Sequence, residues 1–316
     1  MIKKNGFISI SIIYSFFIVI MLLLLLVMTT YINNRFNFTI YKNDIKQKNT
    51  EIYDPYASSD FLYEHLTSLV DRTSSQTAWK VVDEYGIRYQ GKNANNYVVF
   101  NNEKWRIIGV FNDSVHSITG KKLVKIIRSE PLPISGVNAN NLTLPFDNTV
   151  NDYGASLLKN YLNNTYYSSR LTLQSRDMIE PVYWKKGTHN NYYDSGLINQ
   201  YNYEQSGLSD IANVGLMYPS DYGFASLASA CSRSSNYLYS YGDCLPYNWL
   251  TNYVSEWTIT PSAAASSMNI ITASGNLGTT LITTSLAVRP VVYLKENVLY
   301  VGGTGSEDNP YTIAIR

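Results

Sequence analysis

The sequence predicts an α+β protein: an N-terminal transmembrane helix and stalk, followed by a head built on an antiparallel sheet, with few helices and long loops. Three observations carry this expectation. Residues 7–31 hold no charged side chain and are dominated by large apolar ones. Downstream, short β-type runs alternate with Asn, Gly and Pro punctuation. Only a few downstream segments place apolar residues at helical spacing.

Composition narrows the class. The chain has 316 residues, with 25 basic and 24 acidic side chains and a net charge of +1. That balance argues against a nucleic-acid binder working by bulk charge. Hydrophobic content of 45% against 16% charged is enough for a core and excludes a disordered chain. Two cysteines rule out a disulfide-dense scaffold, and with three histidines they disfavour a Cys/His metal cluster. Tyrosine is the outlier, with 28 residues against 10 Phe and 5 Trp.

In chain order, Phe7 to Tyr31 comes first. As a helix it spans roughly 37 Å at 1.5 Å per residue, enough for a hydrocarbon core of ~30 Å. It exceeds a signal-peptide apolar core and lacks a small-residue cleavage site after it, so a retained anchor is expected. Lys3 and Lys4 flank it directly, which favours a cytoplasmic N-terminus. Arg35, Lys42, Lys46 and Lys48 on the other side leave the charge count divided. The Tyr, Asn, Ser and Thr content downstream favours an extracellular C-terminal domain on a single-pass protein of the cell membrane.

The order Lys3-Lys4-Asn5-Gly6-Phe7, a short basic leader and then a long apolar helix, resembles the N-terminus of type IV prepilins and pseudopilins. The resemblance implies cleavage after Gly6, a mature N-terminus at Phe7, and prepilin peptidase and pilin-like subunits as partners beside the membrane. The family has Glu at the fifth mature position, where this chain has Ser11.

Residues 32–77 read as a helical stalk and linker. Pro55 ends the first part. A short helix from Ser59 or Asp60 to about Val70 follows, with Leu62, Leu66, Leu69 and Val70 at helical spacing. The head, 78–316, opens with a hairpin. Tyr97–Phe100 and Lys104–Phe111 are joined at Asn101-Asn102, and Lys121–Arg128 adds a third strand. Asp152 to Tyr167 reads as a helix striped by Leu157, Leu158, Tyr161 and Leu162. A shorter helical segment lies near Ser175 to Ile179. Tyr192 to Ser209 reads as a loop with one short helix at most.

Four phrases mark the last third: Val214 to Phe224, Trp257 to Ser262, Val288 to Leu294, and Gly302 to Tyr311. With the Trp105 hairpin and the Leu157–Leu162 helix, they resemble an uncharacterised domain of Gram-positive surface proteins. Its order of elements is similar to the C-type-lectin-like and formylglycine-generating-enzyme superfamily. That resemblance implies a twisted antiparallel sheet in which the Trp257-Thr258 segment and the strand after Arg289 lie side by side.

Two function classes follow. The first is a non-enzymatic surface protein, membrane-anchored or pilin-like, whose adhesin-like head binds a glycan or protein. Tyr237, Tyr239, Tyr241 and Tyr247, in or beside the Cys231 to Cys244 loop, are the candidate contacts, because Tyr gives contact area at low entropic cost. The second is a membrane-anchored extracellular enzyme on the formylglycine-generating scaffold, which would use Cys231 and Cys244 as a copper-binding thiol pair. On the outside of a cell the two are instead expected to form a structural disulfide, Cys231 to Cys244, that closes the loop between them. No phosphate-binding loop or H-E-x-x-H zinc motif occurs, and no cofactor is called for. Glu307, Asp308 and Asn309 offer hard oxygen ligands, but their spacing matches no calcium loop.

Overall fold

Two asparagines turn the hairpin expected over 97–111. Asn101 and Asn102 both have φ of 57°, the left-handed region that Asn tolerates better than most residues. Such a turn matches the right-handed twist of the strands it joins. Strands β3 (Tyr97–Phe100) and β4 (Glu103–Phe111) pair antiparallel through it, with Phe100 opposite Glu103. Alternation does the rest: Val98 and Phe100 are buried and Val99 faces out. β4 then pairs with β5 (Leu123–Arg128), the expected third strand. Gly109 sits where β4 breaks register, and a Cβ there would fall 2.2 Å from the Ile87 carbonyl oxygen.

The computed structural model describes residues 15, 17–30, 32, 59–70, 80–112, 120–133, 141–187, 196–207, 209–233 and 238–316. It comprises two units, Met1–Ala57 and Ser58–Arg316. In the first, residues 17–30 are helical with exposed side chains.

In the second unit, β1 (Lys80–Asp83) and β2 (Ile87–Gln90) extend the sheet on one side. β15 (Val291–Leu294) and β10 (Val214–Gly215) extend it on the other. The order is β1-β2-β4-β5-β15-β10, with β3 on β4 and β7 (Ile179–Glu180) on β15. A second sheet is built from β6 (Thr143–Pro145), β11 (Glu256–Pro261), β12 (Ser267–Ile271), β13 (Leu277–Leu281) and β14 (Ser285–Ala287). Its order is β13-β12-β11-β14-β6, and β11 and β14 run parallel. Two separate two-stranded sheets follow: β8 (Val182–Lys185) with β9 (Ser209–Ala212), and β16 (Val298–Gly302) with β17 (Thr312–Ile315).

The helices are short. The expected helix at 152–167 is a composite run, Leu157–Asn160, a π-helical Tyr161–Tyr166, and Tyr167–Arg170. Ser156 caps it by accepting from the Lys159 amide. Leu158 and Leu162 are buried as the stripe requires, but Leu157 is 47% exposed. The others are Leu62–Ser68, Leu173–Asp177, Leu197–Glu204 and Pro219–Phe224.

Three expectations are corrected. First, among the described residues no helix is long and apolar enough to cross a membrane. The transmembrane helix at 7–31, and the single-pass, extracellular-head arrangement in the cell membrane that rested on it, are therefore not supported. The leader 1–6, with Gly6, and Phe7 lie outside the described residues. Second, the short helix read near the end of the 32–77 stretch starts later than expected. Helix Leu62–Ser68 belongs to the Ser58–Arg316 unit, where Leu62 and Leu66 are buried and Phe61 bridges to Leu299. Phe61, not Ser59 or Asp60, is its N-cap.

Third, Trp257 and the strand after Arg289 do not share a sheet. Trp257 lies on β11 and β15 belongs to the other sheet. Arg289 ties the two together: its Nε and Nη2 donate to Glu256 Oε2 and Oε1 at 2.5 and 2.6 Å, with both residues buried. Burial raises the Glu256 pKa, and the guanidinium opposes that rise. A charge pair out of water holds only with such geometry.

Candidate functional site

Cys231 and Cys244 form a disulfide with a Cα–Cα distance of 5.9 Å, and both are buried. It closes a short loop, worth about 3 kcal/mol on the chain-entropy account. With both sulfurs in that bond, the thiol pair required by the copper-enzyme reading is absent from this state.

The candidate tyrosines separate. Tyr237 and the side chain of Tyr239 lie outside the described residues. Tyr241 is a core residue rather than a surface contact. It is wholly buried, donates to the Gly223 carbonyl at 2.8 Å, and accepts from Arg233 Nη1 at 3.4 Å. Burial raises its pKa, so it acts as a neutral phenol. Tyr247 is 46% exposed.

Below Tyr247 the chain dives inward and is fixed from four directions. Asn248 Nδ2 donates to the Tyr222 carbonyl, and the Trp249 indole N–H donates to the Tyr89 carbonyl, both at 2.8 Å. Arg106 Nη1 donates to the Trp249 carbonyl while its guanidinium lies 4.7 Å from a Trp249 ring centroid. Arg289 Nη2 holds the Leu250 carbonyl at 2.8 Å. Burial lowers the Arg106 pKa to about 10, which leaves it charged at neutral pH. The segment re-emerges at Tyr253, which is 59% exposed and has φ of 54°. A bulky side chain in that region costs of order 1–3 kcal/mol and is kept only where its surroundings enforce it. The sequence reading missed Tyr253; no local signal marks its backbone.

A buried charge cluster lies elsewhere in this unit. Asp221, at the third position of helix Pro219–Phe224, accepts from Arg88 Nη1 at 3.0 Å and from Lys125 Nζ at 2.5 Å. It also accepts from the Tyr218 amide at 3.0 Å, as a capping residue. Lys125 has ring centroids of Tyr218, Tyr293, Phe111 and Trp184 within 4.4 to 5.7 Å. Burial lowers its pKa to about 8, against the opposing pull of Asp221. Glu204 accepts from the Ser220 amide at 3.1 Å and from Gln200 Nε2 at 2.8 Å, and also from the Ser220 hydroxyl. Burial raises its pKa to about 7. Perturbed values of this kind also mark catalytic groups. Here each carboxylate is spent on internal partners, and all four charged residues are at most 1% exposed.

The Gly302 to Asn309 turn closes on itself, with the Thr304 amide donating to the Asn309 carbonyl at 2.9 Å. Glu307 faces Lys104 at 3.2 Å. Among the described residues no group of three or more His, Cys, Asp or Glu is placed to hold a metal ion. His116 and His189 lie outside them. Comparison with known protein families, with characterised proteins and with solved structures finds no match to this chain.

Proposed function

We propose that the Ser58–Arg316 unit is a non-enzymatic binding domain that grips a protein or glycan surface through Tyr247 and Tyr253. The observation that carries this reading is the left-handed backbone of an exposed Tyr253. Strain at an exposed aromatic gives the fold nothing, and sites of contact are where such strain collects. The buried Asn248–Leu250 segment between the two rings supplies the rigid support that a contact surface needs. The disulfide braces the loop leading into it and fits a protein that works in an oxidising compartment.

The test is binding of the full oxidised chain to glycan and peptide arrays, repeated with Tyr247→Ala and Tyr253→Gly. Glycine relieves the backbone while removing the ring. The expected result is at least a tenfold loss of binding in each variant with unfolding midpoints held or raised. Binding that survives both substitutions, or an oxidised chain that binds nothing on either array, sinks the reading.

A further inference from the structure

A second concave site, separate from the tyrosines, lies where the Asn101-Asn102 turn meets the segment after the composite helix. It is a cleft of about 170 Å³. Its walls are tied together in advance. Asn101 Oδ1 accepts from the Thr172 amide at 2.8 Å, and Asn101 Nδ2 donates to the Arg170 carbonyl at 3.0 Å. One asparagine thus spends its whole amide joining turn to helix, which leaves the cleft formed before any ligand arrives. Such preorganisation removes part of the cost of binding.

The lining has two characters. Val99, Met178 and Ile313 supply apolar surface. Asn102, Thr172 and Gln174 supply hydroxyl and amide groups. Asn102 and Gln174 are exposed, and among the described residues neither side chain has a hydrogen-bond partner. No lining residue is charged. An ion entering the cleft would lose hydration with no countercharge to replace it. A neutral ligand carrying several hydroxyls meets no such penalty. Each hydroxyl both donates and accepts, as a side-chain amide does, and the C–H face of a sugar ring can lie on the apolar residues. The volume suits one ring rather than a chain. Leu173, 72% exposed between Thr172 and Gln174, is the adjoining apolar lip.

We propose that this cleft binds a single neutral pyranose, with the Asn102 and Gln174 amides reading its hydroxyls. This site is independent of the tyrosine surface. A ligand this small, held by two amides at an open cleft, is expected to bind with Kd of ~1–10 mM.

The experiment is saturation-transfer NMR on the full oxidised chain with methyl glucoside, methyl mannoside, methyl galactoside and N-acetylglucosamine, beside glucuronate and glucosamine as charged counterparts. Asn102→Gly keeps the left-handed turn while removing the amide, and Gln174→Ala changes an exposed side chain, so both variants are expected to fold. The expected result is transfer from at least one neutral probe, reduced at least fivefold in the double variant and unchanged in Tyr247→Ala/Tyr253→Gly. No transfer from any neutral probe overturns the proposal. So does transfer that survives the double variant, or a preference for a charged probe. Transfer lost only in the tyrosine variant also overturns it, and moves sugar recognition to the surface proposed above.

Discussion

Asp221 Oδ2 lies 2.5 Å from Lys125 Nζ, and neither side chain reaches solvent. With Arg88 on the other carboxylate oxygen, one anion is shared by two buried cations. Replacing it therefore strands both. Asp221→Asn is expected to lower unfolding free energy by about 3–5 kcal/mol, whereas Lys125→Met, which leaves the Arg88–Asp221 pair intact, costs markedly less. Urea unfolding of the two variants checks this, and equal losses would contradict it.

The neighbouring Glu204 sets a pH dependence. Its pKa is about 7 in the folded chain against an ordinary 4.5. Between those values the folded state holds a proton that the unfolded state has released, so this group's stabilisation is full below pH 4.5 and is lost as pH rises to 7. The loss is on the order of 3 kcal/mol. Lys125 acts at the other end. Its folded pKa is about 8 against 10.5, so the unfolded state binds the extra proton and stability rises again from pH 8 to 10.5. Unfolding free energies measured across this range are expected to dip near neutrality. Glu204→Gln should flatten the acid side and leave the alkaline rise in place.

Reduction of Cys231–Cys244 is expected to cost about 3 kcal/mol and to weaken binding at Tyr247, because the loop entering that residue loses its brace. Calorimetry with and without reductant measures the first effect, and array binding of Cys231→Ser/Cys244→Ser the second. Unchanged Tm on reduction would show that packing alone holds the loop.

The resemblance of Lys3 to Phe7 to a prepilin leader has a direct chemical test. Cleavage after Gly6, which the resemblance implies, would give a mature chain beginning at Phe7. Mass spectrometry of the native N-terminus distinguishes this from a chain that still begins at Met1, which would end the pilin-like reading.

What the sequence made legible was local. The Asn101-Asn102 turn announced itself because left-handed backbone and strand twist constrain few residues, and the strands on either side alternate cleanly. Trp105, Trp249 and Trp257 are buried in the core, where such large rings bring most apolar surface out of water. What stayed hidden depends on partners distant in the chain. Arg88 and Asp221 are 133 residues apart, and nothing local in either names the other. Tyr241 looked like its loop neighbours in composition, yet the adjacent disulfide and the Gly223 carbonyl draw it inward. The parallel β11–β14 pairing, which puts Trp257 and β15 in different sheets, is likewise a property of the whole connection. The proposed pyranose cleft needs the hairpin turn and Thr172 brought together, a contact across 71 positions.

The head closes on itself at its ends. The Tyr300 amide donates to the Asp60 carbonyl, and the His65 ring stacks on Tyr300 at 3.7 Å. Arg316 is held a few residues back along the same strand, its amide on the Asn297 carbonyl. A flexible bridge of about five residues, at roughly 3.3 Å each, would therefore span from Arg316 to Ser59. The order of the head's elements along the chain is thus separable from their arrangement in space. A circularly permuted version, opened in the exposed 263–266 turn, should fold to the same sheets, and the intact head could be seated as a guest within a loop of another protein without prying its first and last elements apart.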